Sequence, residues 1–169
     1  MAQPDGLLLR TLRRFSWGTS RKNMEEGARP AGITVHPTQD AFGVPAQFYD
    51  RPAFWLFYFR SGLLGSKLQR MDVNFYPNRP ADPVLISDFR RIHADLQRDL
   101  GKPIREDTLD PSDPPEFRMS RMIVWRDGPS ILALSLSLAD DGANPKLPPI
   151  GVLHGDAKKD PMARMLAGG

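Results

Sequence analysis

Residues 53–59, AFWLFYF, put five aromatic rings and no charge into seven positions. Aromatic side chains suit the pleated surface of a sheet, so this run predicts a strand with both faces covered. The segment KLQRMDVNFY follows after a short break. In it Met71, Val73 and Phe75 fall on one side and Arg70, Asp72 and Asn74 on the other, while Leu68 is out of phase. That period of two predicts a second strand, with one wet face.

The break itself, RSGLLGSK from Arg60 to Lys67, has the glycines, serine and lysine of a phosphate-cradling loop. A Walker loop needs G-x-x-x-x-G-K-[ST] between a strand and a helix, so that helical amides meet the phosphate. Here the spacing differs, the lysine follows the serine, and strands are expected on both flanks. The glycines instead supply the positive φ of a hairpin turn.

Asp82-Pro83 opens the clearest helical signal, an N-cap followed by a proline suited to the first helical position. Phe89, Ile92, Leu96 and Leu100 then recur at helical spacing, and Gly101 with Pro103 ends the run. Asp88, Arg91, Asp95, Arg98 and Asp99 make the opposite face a solvated charge stripe. A second hairpin is expected from Met119–Trp125 and Ile131–Leu138, joined at RDGPS, with Leu132, Leu134, Leu136 and Leu138 facing inward. Weaker strand signals lie in ITVH and PAQFY, and Thr19 or Ser20 can cap a short helix that ends near Gly27.

These elements predict an α+β fold. An antiparallel sheet of about four to six strands would carry one main helix, Asp82–Gly101, across a face, with extended termini. The core set is Phe57, Phe59, Met71, Val73, Phe75, Phe89, Ile92, Leu96, Leu132, Leu134 and Leu136. The chain divides on composition into a basic amphipathic arm (residues 1–16), the α+β domain (17–139) and a Pro/Gly-rich tail (140–169). Of the 17 prolines, many sit in that tail and in the segment 28–51. A tail of such composition would be mobile alone and would need a partner to lie on.

Charge narrows the partner. The net charge of +3 resides in the first thirty residues, where six basic side chains oppose three acidic ones. Leu8, Leu12 and Phe15 share a face of a short helix with arginines beside it. It would either lie on an anionic surface through Arg10, Arg13 and Arg14 or pack on the sheet. The body lacks a basic stripe, so nucleic acid is disfavoured. No run approaches the ~20 apolar residues that span a bilayer, and no secretory leader is evident, so a cytoplasmic chain, free or peripheral to a membrane, is expected.

Chemistry is sparsely signalled. With no cysteine, thiol chemistry and zinc-thiolate sites are excluded. His36, His93 and His154 lack ligand spacing, although His93 borders the apolar stripe of the long helix. Glu106, Asp107, Asp110, Asp113 and Glu116 lack the tighter pattern of a calcium loop and read as a solvated connector. No nucleophile–base motif is present. No catalytic residue, metal or cofactor is therefore expected.

FSWGTSRKNMEE, RDLGKP and IVWRDGPSILAL resemble elements of small bacterial domains of uncharacterised function. Those domains open on an aromatic-Trp-Gly-x-Ser stretch and continue as helix–hairpin units, the last hairpin bearing a Trp. The layout is similar to BamE and β-lactamase-inhibitor-protein modules, which implies binding to other proteins and no catalytic residues. The expectation is a non-catalytic accessory or assembly subunit in a larger complex. Its partner-binding candidates are Arg10, Arg13, Arg14, Leu147, Ile150, Leu153, Met162 and Met165. The alternative is a small-molecule-binding protein or enzyme with a pocket between sheet and helix, near His93.

Overall fold

The structure is a computed structural model, and it describes residues 7–35, 39–75, 83–107, 120–137 and 149–168. Eight strands form one wholly antiparallel sheet: β1 (Thr34–Val35), β2 (Ala41–Phe48), β3 (Arg51–Arg60), β4 (Lys67–Phe75), β5 (Arg105–Glu106), β6 (Ser120–Asp127), β7 (Ser130–Ser137) and β8 (Ile150–Asp156). Their order is β1-β2-β3-β4-β8-β7-β6-β5. Two meanders, β1 to β4 and β5 to β8, thus meet along the β4–β8 ladder.

That seam places apolar residues in rows across six strands. Phe42, Phe57, Met71, His154, Leu132 and Trp125 are successive register partners. The next row on the same face is Val44, Trp55, Val73, Val152, Leu134 and Ile123. Three helices cover this face: α1 (Leu7–Leu12), α2 (Arg21–Ala28) and α3 (Pro83–Leu100). They bury Leu8, Leu9 and Leu12, then Met24, then Phe89, Ile92 and Leu96. The opposite face is covered over β7 and β8 by α4 (Pro161–Leu166), whose Ala163 and Leu166 pack with Val124, Ile131 and Ala133.

Local chemistry sets the element ends. Ser20 caps α2 by accepting from the Asn23 amide. Gly101, at φ +76°, ends α3, and the buried indole of Trp125 donates to its carbonyl oxygen at 3.1 Å. The β2–β3 hairpin turns on two residues, Tyr49 and Asp50, both at positive φ, as a type I′ turn demands.

The eleven core residues expected from the pattern are all buried. The fold expectation itself is corrected on two counts. Among the described residues the sheet has eight strands, not four to six, and four α-helices share the covering where one main helix was expected. β1 falls within the weak ITVH signal, β5 is a two-residue strand too short to show a period, and β8 is covered on both faces, which erases alternation. The expected N-cap Asp82 lies outside the described residues.

The described parts of the terminal segments are not extended. Leu8 and Leu12 pack on the sheet, and Phe15 stands edge-on to Trp55 and Phe57. Residues 150–156, read as tail, are the strand between the two meanders. Removing residues 138–169 should therefore abolish cooperative thermal unfolding, as followed by calorimetry. A truncated chain that keeps a sharp transition near the parent temperature would contradict the topology. Leu12→Asp, which puts an unpaired charge into the core, should cost at least about 3 kcal/mol in urea denaturation.

Candidate functional site

The β3–β4 hairpin closes at the Arg60–Lys67 pair, and its loop spans residues 61–66. Gly65, at φ +87°, donates its amide to the Gly62 carbonyl at 3.0 Å, forming the tight turn. Ser61 donates to Asp40 at 3.1 Å and lies 3.3 Å from the Ser66 hydroxyl, so the base of the loop is tied to the start of β2. The tip is not. Leu63 and Leu64 are 106% and 89% exposed. A hollow of about 580 Å³ opens beside them, lined also by Gly18, Arg60, Lys67, Leu68, Gln69 and Lys159. Three cations and no carboxylate face it. The loop is a hairpin turn flanked by strands, and the Arg21 amide at the start of α2 donates to the Ser66 carbonyl at its base at 3.0 Å.

One residue further along β4 the ladder is irregular. Tyr58 pairs with Arg70, but Phe59 pairs with Leu68, leaving Gln69 as an extra residue on β4. This β-bulge returns Leu68 to the buried face with Met71 and explains its sequence phase. It also aims Gln69 at a second hollow, of about 350 Å³, lined by Gln39, Asp40, Tyr58, Phe59, Arg70, Asp160, Pro161 and Met162. Gln69 lines both hollows.

The polar groups here are tightly coupled. Arg70 lies over the Tyr58 ring at 3.8 Å and pairs with Asp72 at 3.2 Å and Asp160 at 3.5 Å. Asp160 also caps α4, its Oδ2 accepting from the Ala163 amide at 2.7 Å. Gly155 lets this corner close, because a Cβ there would come within 2.9 Å of Ala163 and 3.2 Å of the Asp160 carboxylate. Burial pushes the Asp72 carboxyl up to about 6, against the pull of Arg70 and with a further push from Asp160. Burial likewise raises Asp160 and the Tyr58 hydroxyl. Asp40, on the far wall, is held below the usual range. Its burial is outweighed by hydrogen bonds from Ser66, Arg21 and Ser61.

The candidates from sequence are dispersed. Arg10 and Arg14 are exposed on the covered side of the sheet, whereas Arg13 clamps Asp127 at 2.5 Å and 3.1 Å. Asp127 also meets His154 Nε2 at 3.1 Å, and the Trp17 indole, beside the His154 ring, donates to Ser130 at 2.8 Å. Burial opposes ionisation of Asp127, yet His154 and Arg13 together hold it at about 2. This cluster fastens the N-terminal segment to the β6–β7 turn.

Ile150 is fully buried in β8, and Leu153 is half-buried with the α4 cluster, so Ile150 is core and not an anchor for a partner. Met162 and Met165 are exposed on α4. Leu147, His36 and the connector acids Asp110, Asp113 and Glu116 lie outside the described residues. His93 packs between Phe89 and Trp125, away from both hollows, and burial lowers its pKa. Among the described residues no cluster of three His, Cys, Asp or Glu could hold a metal, and no helix is long and apolar enough to cross a membrane.

Compared with known proteins, the chain matches no family model, no curated protein and no solved structure.

The Asp72 shift has a definite sign. Its folded pKa lies above that of an unfolded aspartate, so the folded state holds the proton more tightly. The associated stability is fully present below about pH 4 and is lost as the pH rises through 6. Urea denaturation should show about 2 kcal/mol of such loss in the parent between pH 4 and pH 7.5, and Asp72→Asn should flatten it. An equal slope in the variant would contradict the assignment.

Proposed function

We propose that this chain is a non-catalytic accessory subunit that docks on a partner protein through the tip of the β3–β4 hairpin. In this reading it works in the cytoplasm as part of a larger assembly that can sit beside a membrane. The observation that carries it is the pair Leu63 and Leu64, exposed in full at the end of a hairpin and collared by Arg60, Lys67 and Lys159.

Leaving two adjacent leucines in water forgoes roughly 1.5–3 kcal/mol each relative to burial. Single exposed leucines are ordinary, but two on a projecting turn, ringed by cations with no compensating carboxylate, form a complementary shape for something else. The cations define that partner's rim as acidic, and the leucines define its centre as apolar. The hollow behind the tip is concave, which favours a protein side chain inserted as a knob over a flat lipid surface. The exposed Met162 and Met165 on α4 extend the apolar surface on the same side of the sheet as Tyr58 and Arg70.

Photo-crosslinking tests this. A benzophenone residue at position 64 should trap one discrete protein in cells of the source organism, and one at Arg98, on α3, should not. Leu63→Glu, with the benzophenone kept at position 64, should remove the adduct while shifting the melting temperature by less than about 2 °C. Retention of the adduct in the Leu63→Glu chain would overturn the reading. So would transfer of the label to lipid alone, which would make the tip a membrane anchor.

A further inference from the structure

The second hollow is chemically unlike the first, although Gln69 lines both. We propose that the 350 Å³ cavity at the β-bulge is a binding site for an organic cation, a guanidinium or primary ammonium carried on a short apolar stem.

Size comes first. The volume lies at the lower end of the range for small-molecule sites, ~300–1,000 Å³, and suits a stem of a few carbons with one charged head. Its walls supply both surfaces such a ligand needs. Tyr58, Phe59, Pro161 and Met162 are apolar or aromatic, while Asp40, Gln69 and Asp160 are acceptors.

Charge decides the sign. Asp40 and Asp160 line the cavity against a single cation, Arg70. That guanidinium is already committed, lying over the Tyr58 ring and paired to both Asp72 and Asp160. Behind the walls stand Asp72, Asp156 and Glu25, with Arg21 bound to Glu25 and Asp40, while Lys159 lines the neighbouring hollow. An anion entering here would meet an excess of carboxylates at short range. A cation would meet that excess with aromatic faces beside it, the arrangement that recognises ammonium and guanidinium groups elsewhere.

An unpartnered acceptor points the same way. Gln69 Oε1 is buried without a hydrogen-bond partner, and the Oδ1 atoms of Asp72 and Asp160 share the single Arg70 guanidinium at 3.2 Å and 3.5 Å. A buried acceptor left unmatched is costly, and a ligand with N–H donors removes that cost. The bulge is a second, independent device. Counted from Met71, a regular ladder would put Gln69 on the buried face, whereas the extra residue gives that face to Leu68 and leaves Gln69 at the cavity wall.

The head group can arrive on a free amine or on a lysine or arginine side chain of another protein. Titrations of the full chain at pH 7.5, read by amide chemical shifts, separate the two. The probes are agmatine, n-butylamine, N-acetyl-arginine amide, n-butanol and butyrate. Agmatine or N-acetyl-arginine amide should saturate shifts at Tyr58, Gln69 and Arg70, at least about tenfold more tightly than n-butanol, with butyrate silent. Preference for agmatine and butylamine identifies a free amine, and equal binding of the acetylated amide identifies a polypeptide side chain.

Asp40→Asn and Asp160→Asn should each weaken binding at least about fivefold. The latter keeps the helix cap, since asparagine caps as aspartate does. Leu63→Glu with Leu64→Glu should leave these affinities unchanged, which separates this site from the hairpin tip. Butyrate binding as well as agmatine, cation binding indifferent to both Asn variants, or no saturation by any cation up to about 10 mM would each overturn the proposal.

Discussion

Strand β8 has a hydrogen-bonded neighbour on each edge, β4 on one side and β7 on the other, and among the described residues no other ladder joins the two meanders. Its residues point both ways into packed material. Ile150, Val152 and His154 complete the rows under α1, α2 and α3, while Leu153 meets the α4 cluster on the reverse face. Without that strand, β4 and β7 would each present an open edge, and the core rows would stop at the middle of the sheet. The segment after it, Ala157 to Asp160, then turns α4 back over the same strands. The end of the chain is thus the closing element of the fold.

That placement also builds both hollows. β8 and α4 bring Lys159 to the hairpin tip and Asp160 to the bulge, two adjacent residues facing chemically opposite sites. The tip hollow is cationic with an apolar knob. The bulge cavity is acidic with aromatic walls. Gln69 stands between them because the bulge lends β4 one residue with no opposite number on β3. A single irregularity in one ladder therefore separates a surface that suits a partner protein from a cavity that suits a small cation. On the other face the polar groups serve attachment: Arg13, Asp127, His154, Trp17 and Ser130 fasten the N-terminal segment over the core.

Much of this was legible in residue order. The aromatic strand, both hairpins, the helix ending at Gly101 and the core set follow from periods of two and 3.6 and from capping residues. The same signals misled or fell silent at particular places. β8 reads IGVLHGD, two glycines, a histidine and an aspartate among three apolar residues, and a strand buried on both faces has no alternation to detect. Asp160-Pro161 repeats the helix-opening signature of Asp82-Pro83, and α4 begins there, but its six residues carry too little period to stand out. Leu68 out of phase was the trace of the bulge, legible only once its pairing with Phe59 is known. The acidic cavity left no sequence pattern, because Asp40, Arg70 and Asp160 come from three distant segments. The arginine arm left two readings open, and its leucines serve the core.

The measurement that bears most directly on this account is native-state hydrogen exchange of the β8 amides. If β8 closes the sheet, Val152, Leu153 and His154 exchange only through global unfolding, with the same free energy and denaturant dependence as Met71 in β4 and Leu134 in β7. Exchange of the β8 amides through a lower-energy local opening, while β4 and β7 stay protected, would show that the C-terminal strand is an appendage and that the two meanders hold together without it.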